Sequence, residues 1–374
     1  MEDLGIGQRK TMFNSVYHNK RVLITGHTGF KGSWLALWLS QMGAKVTGYS
    51  LQPPTKPSHF QLLDLNINSV IGDLRDADTI KKVFKEQQPE IVFHLAAQAI
   101  VRLSYKDPLE TFSSNVLGTV NVLEAARACS SVRAIVIVTS DKCYENREWP
   151  WGYREIDALG GYDPYSASKG CAEIVTGCWR NSFFNPKDYD KTHQTLLASA
   201  RAGNVIGGGD WAPDRLIPDI MRAVNQYEKV KIRNPQATRP WQHVLEPLSG
   251  YLLLGQKLIE GRKEFAEAWN FGPSEEENVT VGEIVHQVKG VWPKIDYEIN
   301  QTPNQPHEAG MLRLDCSKAR TKLQWLPVWT SKDAIEKTTE WYRAFYELSK
   351  ILSDEHLDRY IADALSKRIT WTIE

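Results

Sequence analysis

Arg21-Val22-Leu23-Ile24-Thr25-Gly26-His27-Thr28-Gly29-Phe30-Lys31-Gly32 is the stretch on which the reading of this 374-residue chain turns. Its opening is an apolar run of strand length, and from Phe30 to Met42 the residues Trp34, Leu35, Trp38 and Leu39 recur at helical spacing. Between the two lies G-x-x-G-x-x-G. Glycines there let the backbone approach a pyrophosphate resting on the N-terminus of the following helix. A plain structural turn would use the same residues; the strand before and the helix after favour a dinucleotide.

Working outward, short apolar strands are expected at 45–49, 91–96, 134–139 and 195–200, alternating with helical patterns at 78–88, 115–128 and 166–180. That alternation predicts an α/β fold with a doubly wound parallel Rossmann sheet. Beyond Arg201 the texture becomes turn-rich, as in Gly207-Gly208-Gly209-Asp210, which suggests a smaller, interleaved C-terminal substrate-binding lobe. The expected division is 20–200 for the dinucleotide domain with a return of 243–269 to it, and 201–242 plus 270–345 for the substrate lobe. An amphipathic helix is expected over 332–345, and 346–374 is a tail without a readable pattern.

Composition narrows the function classes. Lys+Arg and Asp+Glu both number 45, so no net field draws the chain to nucleic acid or an anionic membrane, and an anionic ligand needs locally placed cations. Cys129, Cys143, Cys171, Cys178 and Cys316 form no C-x-x-C pair, which predicts reduced thiols and a cytoplasmic setting. Residues 1–20 hold no signal-like apolar core and no run of ~18 apolar residues occurs, so neither export nor a membrane span is expected. His94, His243 and His307 lie in no H-x-x-x-H or Cys/His cluster, and no metal is expected.

For the adenosine half of a cofactor, the second strand ends in Tyr49-Ser50-Leu51-Gln52. The carboxylate that usually marks NAD is missing, and so is an adjacent Arg for a 2′-phosphate, with Lys56 the nearest cation; NAD is favoured. Ser50 is the ribose candidate. In Gly72-Asp73-Leu74 the Asp73 carboxylate is placed to accept from the adenine amine, a solvated loop aspartate being the plainer alternative.

Tyr165 and Lys169 are four apart and share a helix face. An ammonium there can lower the phenol from its usual pKa of about 10, so that Tyr165 takes a proton from a sugar hydroxyl as hydride leaves the carbon. Upstream, an expected strand ends in Thr139-Ser140-Asp141-Lys142-Cys143-Tyr144, at the sheet edge where ligands bind.

Together the glycine turn, the strand-end Ser140 and Tyr165-x-x-x-Lys169 resemble, in chain order from about 20 to 201, the extended short-chain dehydrogenase/reductase family. The resemblance implies NAD held by Gly26, His27, Thr28, Gly29, Phe30, Lys31, Gly32, Ser50, Asp73, Leu74, Leu95, Ala96, Ala97, Tyr165 and Lys169. It also implies catalysis by Ser140, Tyr165 and Lys169. Asn115 to Thr119 looks like a segment that braces the fold.

Asp141 sorts the chain within that family, since a 4-epimerase needs no acid after its hydroxyl residue, whereas sugar nucleotide 4,6-dehydratases do. The dTDP-glucose enzymes carry Asp-Glu at this point; Asp141-Lys142, with the Gly26 to Gly32 turn, resembles the CDP-glucose 4,6-dehydratase branch. CDP-glucose is then the implied substrate, Asp141 the acid, and Lys142 either the C5 base or a charge stabiliser. The implied substrate contacts are Gln98, Arg102, Ser104, Asn204, Arg215, Arg239, His243, His307 and Arg313, the arginines suiting phosphate through their planar fork. The loop Glu148 to Glu155 either caps the substrate or packs on a neighbouring subunit. Family members pair through helices equivalent to 115–128 and 166–180, which implies a homodimer or tetramer. A 4-epimerase, or an inactive NAD-binding sensor, are the other readings.

Overall fold

The computed structural model describes residues 11–232, 235–273, 278–299 and 311–372. The first half alternates β1 (Arg21–Thr25), α1 (Phe30–Gln41), β2 (Lys45–Ser50), β3 (Asn68–Ile71), α2 (Ala77–Gln87), β4 (Ile91–His94), α3 (Gly118–Arg127), β5 (Ala134–Val138), α4 (Pro164–Ser182) and β6 (Leu196–Ala202). The second half is mostly helical: α5 (Leu216–Asn225), α6 (Leu245–Ile259), the strand β7 (Ala268–Phe271), α7 (Val281–Val291), α8 (Ser331–Leu348) and α9 (Ser353–Ser366).

The seven strands form one sheet in the order β3-β2-β1-β4-β5-β6-β7, every pair parallel. Strands such as Ile91–His94 and Ala134–Val138 are buried at each position, as helices on both faces require. On one face α1, α6 and α9 pack against Val22, Ile24, Phe93 and Val136; on the other α2, α3 and α4 cover Leu23, Val92, Ile135 and Leu197. This is the doubly wound Rossmann architecture. Strand order reverses between β1 and β4, and the crevice over their carboxyl ends is where such sheets take ligands.

The chain enters a second lobe and returns. Short parallel pairing of Val205–Ile206 with Gln242–His243 precedes α6, which lies on β5 and β6, and β7 extends the sheet beside β6. A separate core of Ile217, Ile220, Met221, Ile284, Val285, Ile335 and Trp341 holds α5, α7 and α8 together.

Of the stretch 346–374, expected as a tail without a readable pattern, α9 and Trp371 are built into the main core. In α9 the buried positions are Ser353, His356, Leu357, Tyr360, Ile361 and Ala364, which follow helical spacing but include few aliphatics. Trp371 is buried, stacked on Phe13 at 5.1 Å with Trp38 edge-on.

Glu246, in the first turn of α6, ties this C-terminal part down. Its buried carboxylate accepts from the backbone N–H of Val328 (2.9 Å) and Trp329 (2.7 Å) and from the Tyr360 hydroxyl (2.9 Å). Burial outweighs those bonds and pushes its pKa up to about 7. A folded value above the unfolded one means that its stabilisation is whole below about 4.3 and lost as pH rises through about 7, a swing on the order of 3 kcal/mol. Glu246→Gln turns an amide NH₂ toward a donor and should cost about 1–3 kcal/mol at pH 5. Thermal melts from pH 5 to 8 should show that deficit narrowing; parallel curves for parent and variant would contradict the titration.

Candidate active site

The first βα turn is as tight as its glycines suggest. Gly26 has φ +81°, and a Cβ there would lie 2.7 Å from Ala96 N; one on Gly32 would lie 2.1 Å from Gly26 O. Gly29 caps α1 without a side chain, leaving the helix's first N–H groups for a ligand. Thr28 Oγ1 and Ser50 Oγ meet at 2.8 Å, joining the turn to the end of β2. This backbone cradle fits a dinucleotide pyrophosphate.

Two cofactor expectations need correction at side-chain level. The His27 ring is buried, 2.7 Å from Ser69 Oγ and edge-on to Phe60, and burial lowers its pKa to about 4. Leu74 points into the core beneath α3, its carbonyl accepting from Asn121 Nδ2 at 2.8 Å. Each therefore has only main-chain groups to offer NAD. Asp73 lies just past β3 as expected, its carboxylate bonded by Arg75 Nε at 3.0 Å, and that guanidinium holds it below the usual carboxylate range. Leu95, Ala96 and Ala97 follow β4 and are half-buried against the glycine turn.

The side chains expected to react come together from the ends of β5 and α4. Past Val138 the chain makes a single turn over Asp141–Cys143, capped by Ser140, whose Oγ accepts from Lys142 N at 3.2 Å and donates to Asp141 Oδ1 at 2.9 Å. Asp163 caps α4 by accepting from Ser166 N and Pro164 occupies its first turn, so the helix begins where Tyr165 must be presented. Tyr165 N donates to Ser104 Oγ at 3.1 Å, and Ser168, on the turn between Tyr165 and Lys169, accepts from Asn115 Nδ2 at 2.9 Å. Asn115 lies in a π-helical turn, Ser113–Leu117, ahead of α3, and thus braces α4.

The electrostatics differ from the expectation that Lys169 depresses the Tyr165 pKa. Burial pushes the Tyr165 phenol up to about 12; a hydrogen bond with Ser140 and the charge of Arg215 pull it back, while Asp141 opposes them. Burial also brings Lys169 down to about 8, against the pull of Glu173. Lys31 falls to about 7 through burial beside Arg215 and Lys169, which places its ammonium in the same cluster. Arg215, anchored on Asp210 at 2.9 Å, adds a further positive charge to this cluster.

A cavity of about 390 Å³ adjoins this cluster, its walls including Trp151, Arg154, Gly203, Pro240, Arg313 and Asp315. Arg313 donates to Pro150 O at 3.4 Å, while its Nε is buried without a partner among the described residues. Arg154, Gly203 and Asp315 were not anticipated; only the aromatic loop carrying Arg154 had a sequence signal. Gly203 links cavity and chemistry, because a Cβ there would meet Asp141 Oδ2 at 3.0 Å and Pro240 Cγ at 3.5 Å. Gly203→Ala should therefore shift the Asp141 carboxylate by a few tenths of an ångström and lower kcat by roughly tenfold with little change in melting temperature. Unchanged kcat would show that Asp141 has room to spare.

The remaining expected substrate contacts divide. Asn204 is half-buried where β6 leaves the sheet. Arg239 lies in the strand Thr238–Pro240, paired with Asn278–Thr280. Arg102 forms an ion pair with Asp214 at 3.6 Å. Three are corrected. His243 is buried between Trp34 and Trp329, where burial and nearby His356 hold its pKa far below the ordinary value. Gln98 is turned inward, its amide donating to Thr111 Oγ1 at 2.9 Å and its Oε1 accepting from Ile100 N. Ser104 is buried and holds α4. His307 lies outside the described residues.

Comparison with known proteins adds independent findings. A family model described as GDP-mannose 4,6 dehydratase matches residues 23–338. A CDP-glucose 4,6-dehydratase of Salmonella typhimurium is 54% identical over 331 residues, covering 88% of this chain and 92% of that protein. A CDP-paratose 2-epimerase of Salmonella typhi is 24% identical, over 86% of this chain and 98% of that one. Among solved structures, an epimerase from Methanothermobacter thermautotrophicus matches with a TM-score of 0.75 at 24% identity, covering 92% of this chain and 96% of the other. A UDP-glucose 4-epimerase from Thermus thermophilus, solved with NAD, matches with a TM-score of 0.75 at 24% identity, covering 86% and 99%. At such identities the structural likeness speaks for the fold.

Proposed function

This chain belongs to the GDP-mannose 4,6 dehydratase family, and on that premise we propose that it dehydrates CDP-glucose to CDP-4-dehydro-6-deoxyglucose. The observation that carries the reading is Asp141, bonded to Ser140 beside Tyr165 and pressed against the cavity wall at Gly203. An epimerase leaves C5 and C6 untouched and has no use for an acid there.

Tyr165, with Ser140 on the same hydroxyl, takes the O4 proton as the C4–H bond breaks and C4 becomes a ketone. The glycine turn of Gly26, Gly29 and Gly32 would hold NAD, which would supply the redox chemistry, taking up hydride from C4 and giving it back at C6 with none consumed overall. The ketone acidifies C5–H, and Lys142 is the proposed acceptor of that proton. Asp141 protonates the C6 hydroxyl, which departs as water, leaving a C5–C6 double bond conjugated with the ketone. Lys142 gives its proton back to C5, and exchange with solvent passes the proton gained by Tyr165 to Asp141, so that substrate and product differ by one water. Arg313 and Arg154 in the cavity lining, with Asn204 next in sequence to its Gly203, are the proposed groups for the diphosphate, and Trp151, 60% exposed, offers a face for the base or sugar.

Mass spectrometry after incubating the protein and NAD with CDP-, dTDP-, UDP- and GDP-hexoses separately tests this. Loss of one water from CDP-glucose is expected; an unchanged mass with inverted stereochemistry would make the chain an epimerase, and no reaction with any of them would leave a binding protein.

The proposal extends to the assembly. Leu117, in the π-helical turn ahead of α3, and Ile174 on α4, 58% and 60% exposed, suit a homodimer, which light scattering would detect. The five cysteines are free thiols, which suits the cytoplasm.

A further inference from the structure

The two walls of the cavity are not held by each other alone. Residues 150–154 and 313–315 meet through Tyr153 N to Arg313 O and Asp315 N to Tyr153 O, both 2.9 Å. Behind that contact lies Asn270, wholly buried near the end of β7. Its Nδ2 donates to Tyr153 O at 2.8 Å and to Asp315 O at 3.1 Å, one proton to each wall, and its main-chain N–H holds Glu155 Oε1 at 2.9 Å.

The other end of the same amide faces the catalytic elements. Asn270 Oδ1 accepts from Tyr144 OH at 2.8 Å, and that oxygen accepts from Arg201 Nη1 at 2.7 Å. Arg201 in turn pairs with Glu173 at 2.8 Å, both side chains at most 4% exposed. Glu173 lies one helical turn beyond Lys169 on α4 and also accepts from Thr139, the residue before Ser140. The chain of bonds thus runs from the helix of Tyr165 and Lys169, through Arg201 and Tyr144, to both walls, with Tyr153 stacked on Tyr144 at 5.2 Å.

We infer that Asn270 is a positioning residue: its amide sets the register of the two cavity walls against the catalytic helix, and so governs how sugar nucleotide is held. This rests on the reading of the cavity as the sugar nucleotide site. A side chain of the same shape that cannot donate to both walls tests the effect.

The test is Asn270→Asp, which keeps an acceptor for Tyr144 and cannot donate to both walls at once, since even a protonated carboxyl has a single O–H. In the full-length protein with NAD, KM for CDP-glucose should rise roughly tenfold while kcat stays within about threefold. Hydrogen exchange should quicken in 150–154 and 313–315 and stay unchanged in α4. Tyr144→Phe, which frees Oδ1 and leaves the wall bonds, should raise KM in the same direction by less, and it carries the test if the Asp variant fails to fold. An unchanged KM with unchanged exchange, or a kcat loss as large as the KM rise, would overturn the assignment. Faster wall exchange in a protein whose parent does not turn over CDP-glucose would sink the substrate reading while leaving the clamp in place.

Discussion

Tyr165→Phe is expected to lower kcat by about 10³-fold while leaving the fold and sugar nucleotide affinity nearly unchanged. The substitution removes one oxygen, from a phenol that is 8% exposed, and leaves the ring in its site. The main-chain bond to Ser104 that presents the residue survives, as does the Asp163 cap of the helix. What is lost is the acceptor for the O4 proton, without which the C4–H bond cannot break at a useful rate. Burial makes that acceptor a reluctant one, its pKa pushed up to about 12, and the hydrogen bond with Ser140 and the charge of Arg215 are what draw it back. Ser140→Ala should therefore act in the same direction by roughly tenfold to a hundredfold. In the parent, the rate should climb with pH through the neutral range, because only the deprotonated phenol accepts the proton. Undiminished turnover in Tyr165→Phe would remove the active-site assignment.

How much of this could be read from the residues alone depends on how local each signal is. The glycine turn was legible because three glycines at fixed spacing do one physical job, and the structure repeats it in a Cβ clash of 2.1 Å at Gly32. That Tyr165 and Lys169 lie on one helix, a turn apart, was legible for the same reason, a spacing of four being a fixed geometry there. The substrate contacts were not, because they depend on which way a side chain turns. Gln98 and Ser104 follow a strand that points at the site, yet both face the brace formed with Asn115 and α4. His243 is polar in sequence and lies between tryptophans in space. Asn270 sits in a strand, Ala268–Phe271, whose residues read as ordinary core, and its partners lie more than a hundred residues away for Tyr153 and 45 away for Asp315. The C-terminal helix α9 escaped because its inward face is made of Ser, His and Tyr as much as of aliphatics, a pattern that registers only when the surrounding aromatics are known.

Asp141→Asn should separate oxidation from elimination. The amide fills the same space against Gly203 and can still accept from Ser140, but it has no proton to give a departing hydroxyl. The loss of 4-dehydro-6-deoxy product is expected to reach about 10²–10⁴-fold. Tyr165 and Ser140 remain, so C4 oxidation and its reversal continue, and the C5 proton stays acidic while the ketone persists. Incubation in deuterated water should then return CDP-glucose labelled at C5, although no water has been lost. Lys142 determines whether the label enters: if its amine takes the C5 proton, Asp141→Asn combined with Lys142→Ala should give neither product nor label. If label enters at the same rate without Lys142, another group removes the C5 proton and Lys142 serves only as a charge stabiliser. Full turnover in Asp141→Asn would remove the acid from the site, and with it the feature that distinguishes a dehydratase from an epimerase in this chain.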